Sequence, residues 1–188
     1  MEFKRVMTFF IGGLCLLLAA CSSATQLLMT QEELVNLIYK ETGKELYLPE
    51  FETFNISYVY LQFDEADQVR SIDVQYAEGP TSEIIDFFQD PSNLAAWEEQ
   101  HHAKKLYGPY EGDVSFMLSY SIDGMTTTAA VKVVELEEVE VAVQEDMFFT
   151  IHSIYLNRDD SYSLSYNKEL ISEEEALEHT RSYLMNVE

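Results

Sequence analysis

The chain has 188 residues, 34 of them acidic and 11 basic, for a formal charge of −23. A surface so negative is repelled by phosphate backbones, so a nucleic-acid partner is disfavoured at once. The two cysteines, Cys15 and Cys21, both lie near the N-terminus, which leaves no disulfide framework for the remainder and makes a packed core the source of stability.

The first segment carries Lys4 and Arg5, an apolar run from Val6 to Leu18, and then Leu18-Ala19-Ala20-Cys21. A cationic start, an apolar stretch and small residues, in that order, make an export signal. The run is about a dozen residues, short of the roughly 20 that a spanning helix needs. With a cysteine directly after Ala20 and the serine-rich start Ser22-Ser23, the segment resembles the bacterial lipoprotein class over the first two dozen residues. That resemblance implies cleavage between Ala20 and Cys21, a diacylglyceryl group on the Cys21 thiol, and anchorage on the outer, extracytoplasmic face of the cell membrane. The alternative is an ordinary secretory peptide with a cysteine near its cleavage point. Two acyl chains give effectively stable attachment. Residues 1–20 would be the signal peptide and 21–29 a lipidated tether reaching roughly 30 Å. The mature chain would keep 9 basic and 33 acidic residues, a formal charge of −24.

Residues 30–188 read as a single domain, with no Pro/Gly/Ser-rich linker and no internal repeat. Thr30 as N-cap, Glu33 three residues on, Leu34, Leu37 and Ile38 on one face and Gly43 as the stop predict a first helix. After Leu48-Pro49-Glu50, strands are predicted at about 54–63 and 68–77, separated by Asp64-Glu65-Ala66-Asp67. In the first, both faces are apolar: Ile56, Tyr58 and Tyr60 on one, Val59, Leu61 and Phe63 on the other. In the second, Ile72, Val74 and Tyr76 alternate with Ser71, Asp73 and Gln75, the period of a half-buried strand.

Pro80 to Leu106 reads as helical, although Ile84 to Phe88 fits a strand as well. Asp90-Pro91 opens its second run, where the missing amide hydrogen of proline costs nothing. Val114, Phe116, Leu118, Tyr120 and Ile122 predict a strand at 113–122, followed by an Asp123-Gly124 hairpin and a partner strand at about 125–136. Val139, Val141 and Val143 mark another strand. Phe148 to Leu156 and Tyr162 to Tyr166 flank a second hairpin at Asn157-Arg158-Asp159-Asp160, with Ser161, Ser163 and Ser165 on a solvated outer face. Ser172 and Glu175 form a capping box for a C-terminal helix whose stripe is Ala176, Leu177, Thr180, Tyr183 and Leu184. The predicted fold is α+β: an antiparallel, curved sheet with an N-terminal helix, a helical insertion between strand groups and a C-terminal helix.

The order Leu48-Pro49-Glu50, a hairpin, further strands, Ser161-Tyr162-Ser163-Leu164 and then Ser172-Glu173-Glu174-Glu175-Ala176-Leu177 is similar to an uncharacterised extracytoplasmic domain family. Such domains occur in membrane-anchored proteins of Gram-positive bacteria, including sporulation-associated ones. The chain departs from that pattern by lacking a tryptophan before its last strand pair and by carrying an extra acidic stretch. The resemblance implies a fold and a host class, and no activity.

Candidate chemistry fares poorly. His101 and His102, adjacent on a helix, diverge by about 100° and suit a solvated surface better than one metal ion. Glu175 and His179 share a helix face without a second ligand pair, which reads as a surface pair. Asn157, Asp159 and Ser161 mimic the start of a calcium loop, but Tyr162 replaces its glycine and Lys168 its closing Glu. His152, between Ile151 and Ser153, reads as a core or edge side chain, and no Gly-x-Ser-x-Gly elbow or phosphate loop occurs. No catalytic residue, metal site or cofactor is therefore expected, and the ligand-binding residues stay unassigned.

Two functions remain. The first is a non-catalytic interaction module that docks an envelope protein. The alternative is a carrier or sensor that binds a lipid or other apolar ligand against an aromatic sheet face. Lipid attachment is the part most directly testable. Cys21→Ala is expected to move the protein from the membrane fraction to the soluble fraction and to abolish labelling by a radioactive fatty acid; labelling that survives the substitution would refute the lipid site.

Overall fold

A computed structural model describes residues 29–79, 83–122, 132–155 and 160–187. Ala20, Cys21, the signal segment, nearly all of the tether, the Asp123-Gly124 turn and Asn157 to Asp159 lie outside those residues. The chain divides at Thr30/Gln31, and Gln31–Glu188 form one compact unit.

Among the described residues, eight strands make one open antiparallel sheet: β1 (Phe54–Phe63), β2 (Val69–Glu78), β3 (Ala103–Tyr107), β4 (Val114–Ser121), β5 (Lys132–Leu136), β6 (Val139–Glu145), β7 (Phe149–Tyr155) and β8 (Ser161–Asn167). Their spatial order is β3-β1-β2-β4-β8-β7-β6-β5. Helices α1 (Gln31–Thr42), α2 (Pro91–His101) and α3 (Glu173–Val187) complete the α+β fold of the described residues. A short 3-10 turn, Asp86–Gln89, precedes α2.

The predicted alternation places the core on one face. Tyr76, Phe116 and Tyr166 stand in register on β2, β4 and β8, with Val74, Leu118 and Leu164 in the next row. All six are buried, together with His152 and Ile154 of β7 and Val141 and Val143 of β6. α3 lies on this face through buried Ala176, Thr180, Tyr183 and Leu184. Its start is the expected capping box: the Ser172 amide donates to Glu175 Oε2 (2.9 Å), and the Glu175 amide donates to Ser172 Oγ (3.3 Å). α1 buries Leu34 and Ile38 and ends where Gly43, at φ +70°, sends its amide to the Tyr39 carbonyl. α2 opens as predicted, with Asp90 accepting from the Ser92 amide and Pro91 in the first turn.

Several expectations are corrected. Helix does not run to Leu106: His102 turns left-handed (φ 49°), and Ala103–Tyr107 become an edge strand on β1, where Lys105 registers with Tyr60. Tertiary pairing outweighs the helical preference of these residues. Ile56 does not share a face with Tyr58 and Tyr60, because a bulge at Ser57 shifts the register and sets Ile56 opposite Tyr76. β5 is not the neighbour of β4. Its partner is β6, and β4 pairs instead with β8, where Tyr120, Leu118 and Phe116 meet Tyr162, Leu164 and Tyr166. The charged Lys132 and Glu135 suit an edge strand, whereas the aromatic rows need neighbours on both sides.

The serines of β8 are not solvated either. Ser161, Ser163 and Ser165 are buried, since they sit mid-sheet in rows such as Tyr60, Asp73, Ser119, Ser163 and Ser153. On this second face Ser71 Oγ donates to Asp73 Oδ2 (2.7 Å). Burial raises the Asp73 carboxyl above the ordinary range, against hydrogen bonds from Ser119 and Ser71. α2 covers one end, with Trp97 5.8 Å from both Tyr58 and Tyr60.

One backbone position is critical. The Tyr110 amide donates to the bulged Ser57 carbonyl, and a Cβ on Gly108 would lie 2.1 Å from that oxygen, at φ +71°. Gly43 has a similar φ and open space around it. Gly43→Ala is therefore expected to cost about 1–2 kcal/mol in urea unfolding, and Gly108→Ala clearly more; equal losses would contradict the close approach.

Candidate functional site

Between α1 and β1 the chain is irregular, yet it is firmly held. Leu46 and Leu48 are buried, and Gln31 Nε2 donates to the Leu48 carbonyl (2.6 Å). Pro49 prevents a helix here, and the chain crosses the core face of the sheet opposite the C-terminal half of α3. A cleft of about 380 Å³ lies between the two, with Tyr47, Glu50, Phe51 and Phe54 on one side and His179, Ser182 and Tyr183 on the other. Phe116 and Tyr166 of the sheet also line it.

Phe51 is its central ring, 5.0 Å from Phe116, 5.2 Å from Tyr76 and 5.1 Å from His179. Tyr47 stands 5.6 Å from Tyr183. A second cleft, of about 640 Å³, shares Tyr47 as a wall and is lined by Val35 and Tyr39 of α1, Tyr162 and Asn186.

The polar atoms are distinctive. Tyr183, 2 % exposed, and Tyr76, 1 % exposed, each bury a hydroxyl that no described residue satisfies, and His179 Nδ1 is in the same condition. A buried polar group without a partner costs about 1–3 kcal/mol. Burial drives the Tyr76 and Tyr183 phenols far above their usual range, with neighbouring tyrosines acting in the same direction. Burial also lowers the His179 imidazole, although Glu175 and Glu178 oppose it. The site thus presents neutral hydroxyls, a neutral imidazole and aromatic faces. Such a set offers hydrogen bonds and dispersion.

Behind the cleft runs a buried polar chain. His152 Nδ1 lies 2.6 Å from Thr180 Oγ1, which lies 2.9 Å from Tyr166 Oη. His152 is fully buried and its Nε2 has no partner among the described residues. Burial pushes its pKa down to about 4, while Glu173 raises it and Lys132 lowers it.

The other sequence candidates are dispersed. His101 and His102 are exposed at the end of α2, with the His101 ring 5.1 Å from Trp97. His179, read from sequence as half of a surface pair, is instead partly buried in the cleft, while Glu175 is occupied by the Ser172 cap. Ser161 and Tyr162 belong to a regular strand, with Lys168 just beyond it. Among the described residues no three His, Cys, Asp or Glu converge as a metal site, and no helix is long and apolar enough to cross a membrane. The sequence reading missed Tyr47, Phe51, Phe54 and Tyr183 as one site. The available signal was an aromatic at Tyr47, Phe51 and Phe54 around a proline, in a stretch with no secondary-structure period.

No family model matches the chain. No curated protein and no solved structure matches it either.

His152 sets a pH dependence. Its folded pKa of about 4 lies below the unfolded value of about 6.5, so below pH 6.5 the unfolded chain takes up a proton that the folded one refuses. Its contribution is fully present above about pH 6.5 and is lost towards about pH 4, by about 1.4 kcal/mol per pH unit at most. In chemical unfolding at a series of pH values, His152→Gln is expected to flatten the slope in this window relative to the parent protein. An unchanged slope would show that the imidazole titrates normally in the fold.

Proposed function

We propose that this protein is a lipid-anchored, non-catalytic binding domain on the outer face of the cell membrane, and that it holds a small ligand in the Tyr47–Tyr183 cleft. The observation that carries the reading is a cleft of about 380 Å³ walled by aromatic rings, with the buried, unsatisfied phenol of Tyr183 in its lining and that of Tyr76 packed on its central ring, Phe51. Ligand pockets combine predominantly apolar walls with a few convergent polar groups, and this cleft has that composition. Its neutral phenols and imidazole offer hydrogen bonds to a ligand, and its rings offer dispersion.

Among the two functions expected from the sequence, this one is the carrier or sensor, moved from an open sheet face to a defined cleft. Docking of an envelope protein would draw on exposed side chains such as Phe87, Met147 and Phe148, which belong to two different turns. The cleft supplies more of the argument than they do.

Ser182 lines the cleft and is exposed, so Ser182→Trp fills the opening without entering the core. The protein released from its own membrane is expected to show a small-molecule adduct in native mass spectra, and Ser182→Trp to remove it with little change in melting temperature. Adducts of equal intensity in both proteins would place the ligand elsewhere, and bare protein in both would overturn the reading.

A further inference from the structure

The charge around the cleft restricts what can enter it. Glu50 and Glu52, both exposed, belong to its lining, and no Lys or Arg does among the described residues. An anionic ligand would meet two carboxylates on a chain that already carries a formal charge of −23. A purely apolar ligand would cover the rings and leave the buried hydroxyl of Tyr183 still without a partner. A neutral polar ligand would satisfy that hydroxyl but gain little from Glu50 and Glu52, whereas a cation uses both. Aromatic faces attract a desolvated cation by about 2 kcal/mol or more, carboxylates add direct attraction, and a phenol oxygen accepts a hydrogen bond from an ammonium N–H.

We infer that the ligand of the Tyr47–Tyr183 cleft is an organic cation of the alkylammonium class, its charged head held by Glu50, Glu52 and the aromatic walls and donating to the Tyr183 hydroxyl. This inference rests on the binding function proposed above and specifies its ligand. The alkyl part then covers Phe54 and Phe116, which line the same cleft. A tyrosine phenol is neutral at physiological pH and burial raises this one further, so its oxygen remains a neutral acceptor. Nothing covalent is involved.

Three probes of one chain length separate the terms: hexylammonium, hexan-1-ol and hexanoate. Each is titrated into the ¹³C-methyl and aromatic NMR spectra of the full-length protein in nanodiscs of zwitterionic lipid, with empty nanodiscs as the blank. Hexylammonium is expected to bind at least about tenfold more tightly than hexan-1-ol, with shifts at Phe51 and Tyr183. Hexanoate is expected not to bind. The surface substitutions Glu50→Gln and Glu52→Gln together are expected to weaken hexylammonium several-fold and leave hexan-1-ol unchanged. Equal affinity for hexylammonium and hexan-1-ol at Phe51 and Tyr183 would overturn the cation inference while the cleft remained a binding site. If none of the three moved those resonances, both the inference and the cleft reading would fall.

Discussion

Three rings in register, Tyr76, Phe116 and Tyr166, join β2, β4 and β8, and much of the molecule depends on that row. β4 and β8 are separated in sequence by three intervening strands, so their pairing closes a long loop whose entropy must be recovered by the side chains that meet there. Neighbouring centroids of 5.2 Å and 5.0 Å put each ring within the range where aromatic pairs add to simple burial. The row joins the β3-β1-β2 side of the sheet to the β7-β6-β5 side. It is also the floor on which Phe51 and His179 rest.

A core built from tyrosine carries hydroxyls into the interior, and those oxygens must be dealt with. Tyr166 meets Thr180, which in turn meets His152, and this chain ties α3 to β7 and β8 through side-chain hydrogen bonds. Tyr120 donates to Asp160, a carboxylate that also lies 3.4 Å from Lys44 Nζ. Tyr76 and Tyr183 have no such relief among the described residues; Tyr183 lines the cleft, and Tyr76 packs on its central ring, Phe51. Phenylalanine at either position would bury the same ring without an orphaned oxygen. The choice of tyrosine there is the chemical feature around which the binding proposal is built.

Much of the fold was legible because strong periodicity survives packing. The alternations of β2, β4, β6 and β8, the Ser172–Glu175 box, the Gly43 stop and the Asp90-Pro91 start all follow from local residue chemistry. Partner choice was less legible. Nothing local to Val114–Ser121 says that its neighbour is Ser161–Asn167, and only the matched Tyr-Leu-aromatic rows do so once both strands are aligned. The strand at Ala103–Tyr107 is set by its place beside β1, against a local sequence that favours helix. Ser57 shifts a register that strict alternation cannot anticipate, and the burial of the β8 serines follows from their place between β4 and β7, which their own alternation does not reveal. The cleft was the least legible feature, because residues 47–54 have no period and their partners on α3 lie far along the chain.

The claim that a ligand satisfies the buried phenols at this cleft is tested most directly by tyrosine ¹³Cζ shifts, recorded before and after addition of a small-molecule extract of the producing envelope. Tyr58 and Tyr110 also bury unsatisfied hydroxyls but pack on Trp97 and Tyr107, away from Phe51 and the cleft lining, so they serve as controls within the same spectrum. Shifts at Tyr183 and Tyr76, with Tyr58 and Tyr110 unmoved, are the expected result. Unmoved Tyr183 and Tyr76 resonances at saturating extract would contradict the account.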